Sequence, residues 1–189
     1  LSLLRKNTKE PVGTVRVPFP PESAASGIGR TLRRGERWQY KRTFSVAEDF
    51  NRGRVLLHFG AVDQIARVWV NDSFVGEHTG GYIPFSFDIT KAVQTGENRL
   101  RVEVTDDLDK DLGYGKQRRK RGGMWYTPIS GIWQPVWLES VPRKYVRSLK
   151  MTPELDRVTV EVCGGEEEKT LRISAPTGEL LHKFSGDSV

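Results

Sequence analysis

Hydrophobic and polar residues alternate along most of this chain with a period of two, the period of strands with one buried face. Trp38, Tyr40, Arg42 and Phe44 alternate with Gln39, Lys41 and Thr43. Val55, Leu57 and Phe59 share one face, and Ala66, Val68 and Val70 stand opposite Arg67 and Trp69. Ile83, Phe85, Phe87 and Ile89 alternate with Pro84, Ser86 and Asp88. Leu100, Val102 and Val104 are expected inward, with Arg99, Arg101 and Glu103 outward. From Ile132 the pattern predicts one strand, with Gln134, Val136 and Leu138 on one face and Trp133, Pro135 and Trp137 on the other.

The punctuation agrees with that reading. Pro18, Pro20 and Pro21 end a short extended piece over 12–19, because proline lacks a ladder donor. Asn71-Asp72-Ser73 marks a tight turn, so 66–76 is predicted as a β-hairpin. Asp88-Ile89-Thr90 can cap a single helical turn that Gly96 stops. No window carries sustained helical periodicity. Weaker strand patterns cover 146–151, 158–162, 170–174 and 180–184. Short strands separated by Gly and Pro turns predict an all-β protein, a jelly-roll β-sandwich. Val141-Pro142-Arg143 reads as a boundary between a domain at 1–142 and a second at 143–189. The second is too short for a complete sandwich of roughly 100 residues, so it reads as a truncated β-domain.

Composition narrows the function classes. A chain of 189 residues can bury a sufficient core without staples. Nothing approaches the roughly 20 apolar residues of a membrane helix, and the first ten residues lack a secretory apolar core. The chain does not begin with Met and reads as cut from something larger. Cys163 is the only cysteine, which excludes an internal disulfide framework and a multi-cysteine metal site and tilts the setting toward the cytoplasm. The net charge is +6, and five of the six residues at 116–121 are basic. That run has no interleaved aromatic and follows Asp106, Asp107, Asp109 and Asp111, so a solvated loop is expected there and not a nucleic-acid patch.

The chemistry concentrates at 122–138, which holds Trp125, Tyr126, Trp133 and Trp137 after a long polar segment from 105 to 121. A loop of that length without regular structure is uncommon in a compact domain unless it has a role. Aromatic faces stack on the C–H face of a pyranose while nearby polar groups select hydroxyls, and Trp125, Tyr126, Lys116 and Gln117 can supply both. The same aromatics can equally be core. Catalysis has thin support. Glycoside hydrolysis needs two carboxylates facing across a sugar, and Glu22, Asp63, Asp88 and Glu103 each have a structural explanation. His58 and His78 lack a supporting ligand cluster, Ser130 lacks the neighbours of a nucleophile elbow, and there is no phosphate loop. No catalytic residue, metal or cofactor is expected.

Several motifs together resemble the N-terminal sugar-binding domain of glycoside hydrolase family 2. They are RVLLHFGAVD at 54–63, VWVN at 68–71, VGEHTGGY at 75–82, PFSFDIT at 84–90, GENRL at 96–100 and WYTPISGIWQPVWLE at 125–139. VPFPPESAASGIG at 17–29 and GKQ at 115–117 are similar to its β-galactosidase-like branch. The family also includes β-glucuronidases and β-mannosidases. The resemblance covers roughly residues 10–142, and the tail from about 144 resembles the start of the family's immunoglobulin-like second domain. It implies a galactose-binding-domain-like jelly roll, part of an immunoglobulin-like sandwich, and then a (β/α)8 barrel carrying both catalytic glutamates. This chain would then be the non-catalytic front of a retaining β-glycosidase, inactive alone, with a β-linked glycoside and its own barrel as partners. Some relatives place a sugar-touching aspartate before the SGIW strand. Here that stretch is Gly122, Gly123, Met124 and Trp125, so the aspartate is missing, which counts against galactose-type hydroxyl contacts. Lys116, Gln117, Trp125 and Tyr126 are the residues expected to line the approach. An independent carbohydrate-binding module is the alternative. The residues leave the sugar, the linkage and whether the protein is a homo-oligomer open.

Overall fold

The computed structural model describes residues 2–5, 11–120, 122–165 and 169–186. It divides into two compact units, Leu1–Ser140 and Val141–Val189. The first unit contains β1 (Ser2–Arg5), β2 (Pro11–Thr14), β3 (Arg37–Val46), β4 (Arg54–Phe59), β5 (Val62–Asp63), β6 (Ile65–Val70), β7 (Ser73–Thr79), β8 (Phe85–Asp88), β9 (Gly96–Thr105), β10 (Gly131–Ile132) and β11, which runs Val136–Val141 and so crosses the division by one residue. The one assigned helix among the described residues is a single 3-10 turn, Ala24–Ser26.

One layer is a sheet in the order β2-β1-β3-β9-β6-β7; the other is β11-β4-β8, with the short pair β10-β5 beside it. The neighbours β3 and β9 are far apart in sequence, as jelly-roll topology requires, and pair in register from Arg37↔Thr105 to Val46↔Gly96. The alternating residues meet between the layers. Trp38, Tyr40, Val102, Val104, Ala66, Val68 and Val70 come from the first sheet; Val55, Leu57 and Phe59 come from the second; all are buried in one apolar cluster. Phe59 stacks on Phe85 with ring centroids 4.8 Å apart.

The turns follow the sequence chemistry. Asn71 and Asp72 take φ values of 48° and 67°, the left-handed conformation that short polar side chains tolerate in hairpin turns. The Asn71 amide also donates to the carbonyl of Ala92 at 2.9 Å and to Asn98 Oδ1 at 2.7 Å, tying the hairpin to the turn after β8. That turn is closed by Ala92 and Val93 N–H bonds to the Ile89 carbonyl, with the Asp88 carboxylate receiving the Thr90 N–H at 3.0 Å.

Three expectations change in detail. The strand predicted from Ile132 through Leu138 is broken between β10 and β11, since Pro135 has no N–H to give and its carbonyl instead accepts from Gly60 at 2.9 Å. Ile83 lies outside β8 and is exposed. Glu103 is on the outer face of β9, yet it is buried beneath its neighbours, accepting from Gln39 at 3.0 Å and Arg101 at 2.8 Å.

In the second unit, β12 (Val146–Pro153) pairs with β13 (Val158–Gly164), and β14 (Lys169–Ser174) with β15 (Leu180–Gly186), both antiparallel. Cys163 is an exposed free thiol. No helix among the described residues is long and apolar enough to cross a membrane.

Removing a large buried ring should unfold the first unit more readily. Phe59→Ala is expected to cost about 3–5 kcal/mol in denaturant unfolding followed by tryptophan fluorescence. Phe74→Ala, at a half-exposed position on β7, should cost under about 1 kcal/mol.

Candidate functional site

The segment between β9 and β10 carries two isolated β-bridges of its own, Gln117 with Tyr126 and Gly122 with Trp125, and a few backbone turn bonds, and buried side chains hold it from below. The Gln64 amide, beside β5, clasps the backbone of Asp109, donating to its carbonyl at 3.1 Å and accepting its N–H at 3.0 Å. The Gln117 amide does the same work further along. Its Nε2 donates to Asp63 Oδ2 at 3.1 Å and to the Tyr82 hydroxyl at 2.8 Å, and its Oε1 accepts the N–H of Ile129 at 2.5 Å. Gly81 is required at this node, because any Cβ there would collide with the Asp63 carboxylate. Trp133 closes the side of the node, its indole N–H on the Gly81 carbonyl at 2.8 Å and its ring edge-on to Tyr82.

A second node fixes the end of the segment. Glu22 receives the Ser130 N–H at 3.0 Å and its hydroxyl at 2.7 Å, and Trp38 donates its indole N–H to the same hydroxyl at 3.3 Å. The Tyr40 hydroxyl accepts the Ile132 N–H at 3.3 Å. Gly131 (φ 72°) has no room for a Cβ against that hydroxyl, which explains the glycine of the SGIW stretch.

Above these nodes the chain forms a rim. Tyr126 lies between Lys116 and Arg118, its N–H on the Lys116 carbonyl and its carbonyl receiving the Arg118 N–H, both at 3.1 Å. The Arg118 guanidinium sits 3.6 Å over the Trp125 ring centroid. Tyr126 is 65% exposed and Met124 68%, so these side chains face solvent and not the core. Lys116 is exposed as well. Gln117, expected in the same approach, is 5% exposed and lies beneath the rim with its amide fully engaged. The four residues therefore come together in space: Lys116 and Tyr126 face outward, Trp125 is half-buried with Arg118 over its ring, and Gln117 lies beneath them. Beside the rim is a hollow of about 700 Å³ lined by Arg34, Asp109, Tyr114, Arg118 and Arg119, among others.

Three of the four carboxylates considered for acid–base work are committed, and the fourth, Asp63, accepts from Gln117 through Oδ2 while its Oδ1 is buried without a hydrogen-bond partner among the described residues. Asp88 pairs with Arg54 at 2.7 Å and closes its own turn, Glu103 is covered, and Glu22 binds Ser130. Asp63 is fully buried; burial first, and then the nearby negative charge of Asp106, push its carboxyl up to about 7 against the opposing Gln117 hydrogen bond. Burial also raises Glu22 and Asp106. His58 and His78 are in separate aromatic stacks. His58 lies against Trp137, with Nδ1 2.6 Å from Ser86 Oγ and Nε2 3.0 Å from Glu139; His78 lies against Phe85, where burial lowers its pKa. Among the described residues no three His, Cys, Asp or Glu side chains converge as metal ligands would.

The supporting residues Asp63, Gln64, Tyr82 and Trp133 carry no local signal of this role. Only the length of the segment they hold hinted that something must hold it.

The family model described as glycosyl hydrolase 2 galactose-binding domain-like matches residues 30–152. The chain belongs to this family. A β-galactosidase of Thermoanaerobacter pseudethanolicus is 35% identical over 113 residues, covering 58% of this chain and 14% of the relative. A β-glucuronidase of Canis lupus familiaris is 29% identical over 179 residues, covering 82% of this chain and 27% of the relative. The solved β-D-glucuronidase of Dictyoglomus thermophilum has a TM-score of 0.79 over 100% of this chain and 35% of its own, at 20% identity, a likeness of fold. The chain thus spans between about an eighth and a third of the curated relatives it matches. The matched family is that of the glycosyl hydrolase 2 galactose-binding-like domain, and the two-layered all-β fold agrees with it.

The Asp63 carboxyl gives a pH test. Its native pKa, about 7, is above the unfolded value near 3.8, so the native state holds the proton more tightly. Stability from this group is fully present below about pH 4 and is lost as pH rises through 7. The melting temperature of Asp63→Asn relative to the unsubstituted protein should therefore climb between pH 4 and pH 7. A flat difference across that window would contradict the assignment.

Proposed function

We propose that this chain is the non-catalytic sugar-binding portion of a retaining β-glycosidase and that it shapes one wall of the substrate cleft. The observation that carries the reading is the rim itself. Lys116 and Tyr126 are presented outward, with the half-buried Trp125 beside them, on a segment with little regular structure of its own, which buried amides nevertheless hold. Preorganised aromatic and cationic side chains are what a polyhydroxylated ligand needs from a wall that does no chemistry. Gln117 positions them. The commitment of Glu22, Asp88 and Glu103 to structural bonds, and the burial of Asp63, support a catalytic pair supplied by a separate barrel. The relatives' names, β-galactosidase and β-glucuronidase, support a β-linked glycoside as the partner.

Residues 143–189 fit the first strands of an immunoglobulin-like sandwich. In the β12–β13 hairpin, Leu149, Met151, Val158, Val160 and Val162 fall on one face by register, and Leu149, Met151 and Val158 are exposed. An apolar face of that kind calls for further strands to cover it.

The test is kinetic. In the β-glycosidase that carries this chain, Trp125→Ala with Tyr126→Ala should lower kcat/KM by about 10–100-fold, chiefly through KM, with the melting temperature held. Unchanged kcat/KM would contradict the proposal. So would release of product from an aryl β-glycoside by the 189-residue chain alone.

A further inference from the structure

The core of the first unit has an opening that shares no residue with the rim. Six strands in one layer face three and a short pair in the other, so the smaller layer cannot cover all of the larger. Where β3 and β9 look across to β4 and β11, a cavity of about 420 Å³ lies between the layers. Its walls are apolar, with Leu57, Leu100, Val102, Val136 and Leu138 all part of the core or packed against it. A cavity of that size, apolar with few polar groups to fix orientation, has the make-up of a small-molecule site. Among the described residues Arg42 is the only charged one that lines it. Arg42 occupies the core-facing row of β3 with Trp38, Tyr40, Phe44 and Val46, opposite Leu100 in the ladder, and is exposed at the cavity's edge. Among the described residues it has neither an ion pair nor a hydrogen bond, whereas Arg99 and Arg101 on the neighbouring β9 are matched to Asp72 and Glu103.

We propose that this cavity binds a medium-chain aliphatic carboxylate, with the tail between the two layers and the head group on the Arg42 guanidinium. The tail gains from each methylene taken out of water. The head gains from two parallel charge-assisted bonds, since a guanidinium presents its donors in the spacing of carboxylate oxygens. The Tyr40 hydroxyl, the other polar group against the cavity, already accepts the Ile132 N–H at 3.3 Å, so Arg42 is the group left to orient the ligand. A sugar fits this cavity poorly. Apolar walls would strip water from its hydroxyls and return few hydrogen bonds.

Titration of the 189-residue chain with hexanoate, octanoate and decanoate, and with octanol as the uncharged control, tests this. Affinity should rise about two- to fourfold with each added methylene. Octanoate should bind about fivefold or more tightly than octanol. Arg42→Gln should remove that advantage, weakening octanoate by about five- to tenfold and leaving octanol within about twofold. Arg99→Gln, an equal loss of charge on the outer face of β9, should leave octanoate binding unchanged. In NMR spectra of the unsubstituted protein, decanoate should shift the methyl resonances of Leu57, Leu100 and Val102. Absence of those shifts, affinity that does not rise with tail length, or octanoate binding indifferent to Arg42→Gln would each overturn the proposal. So would loss of decanoate binding in the whole β-glycosidase that carries this chain, because the cavity would then be a face that the parent itself covers.

Discussion

Two adjacent side chains, Asp63 at the end of β5 and Gln64 just after it, decide where the long segment after β9 can lie. One receives the Gln117 amide and the other clasps the Asp109 backbone. Both are buried, so neither has water as an alternative partner, and a buried polar group left unpaired costs more than its hydrogen bond contributes. That asymmetry makes the node restrictive. If the segment moves away, Gln64, Gln117 and Asp63 lose their partners together. A stretch with little ladder of its own is thereby given a single conformation.

The remaining features follow from that constraint. With Gln117 drawn inward, its neighbours Lys116 and Arg118 are left facing out, and the Tyr126 backbone bridges them. Arg118 then reaches the face of Trp125. The Ile129 bond to Gln117 delivers the chain to Ser130, where Glu22 and Trp38 take over, and Tyr40 fixes the entry into β10. The node also carries an electrostatic penalty. Asp63, Asp106 and Glu22 are all raised by burial, and Asp63 further by its acidic neighbours, so the region that holds the rim is itself sensitive to pH.

Much of the fold was legible because its determinants are local. Alternation in 38–44, 55–59 and 100–104 marks β3, β4 and β9, and Asn71-Asp72 marks the hairpin, since side-chain period and turn chemistry act over neighbouring residues. The break in the strand after Ile132 was less visible, because alternation continues through Pro135 even though the ladder does not. The outward placement of Glu103 holds, but its burial there is not legible for a related reason. Period two tells which face a residue is on, but Gln39 and Arg101, which cover it, are brought there by pairing across strands. In the candidate site, the aromatic and cationic character of Lys116, Trp125 and Tyr126 could be read directly. The burial of Gln117 could not, because its partners are 54, 35 and 12 residues away.

The claim that a buried amide holds the rim is tested most directly by amide hydrogen exchange, comparing the unsubstituted protein with Gln117→Leu. Leucine keeps the apolar bulk and removes all three hydrogen bonds. The N–H groups of Ile129, Tyr126 and Arg118 should then exchange about tenfold faster or more, while those of β3 and β9 keep their protection. Unchanged exchange at Ile129 and Tyr126 in a folded Gln117→Leu protein would show that the rim is held by something other than this node.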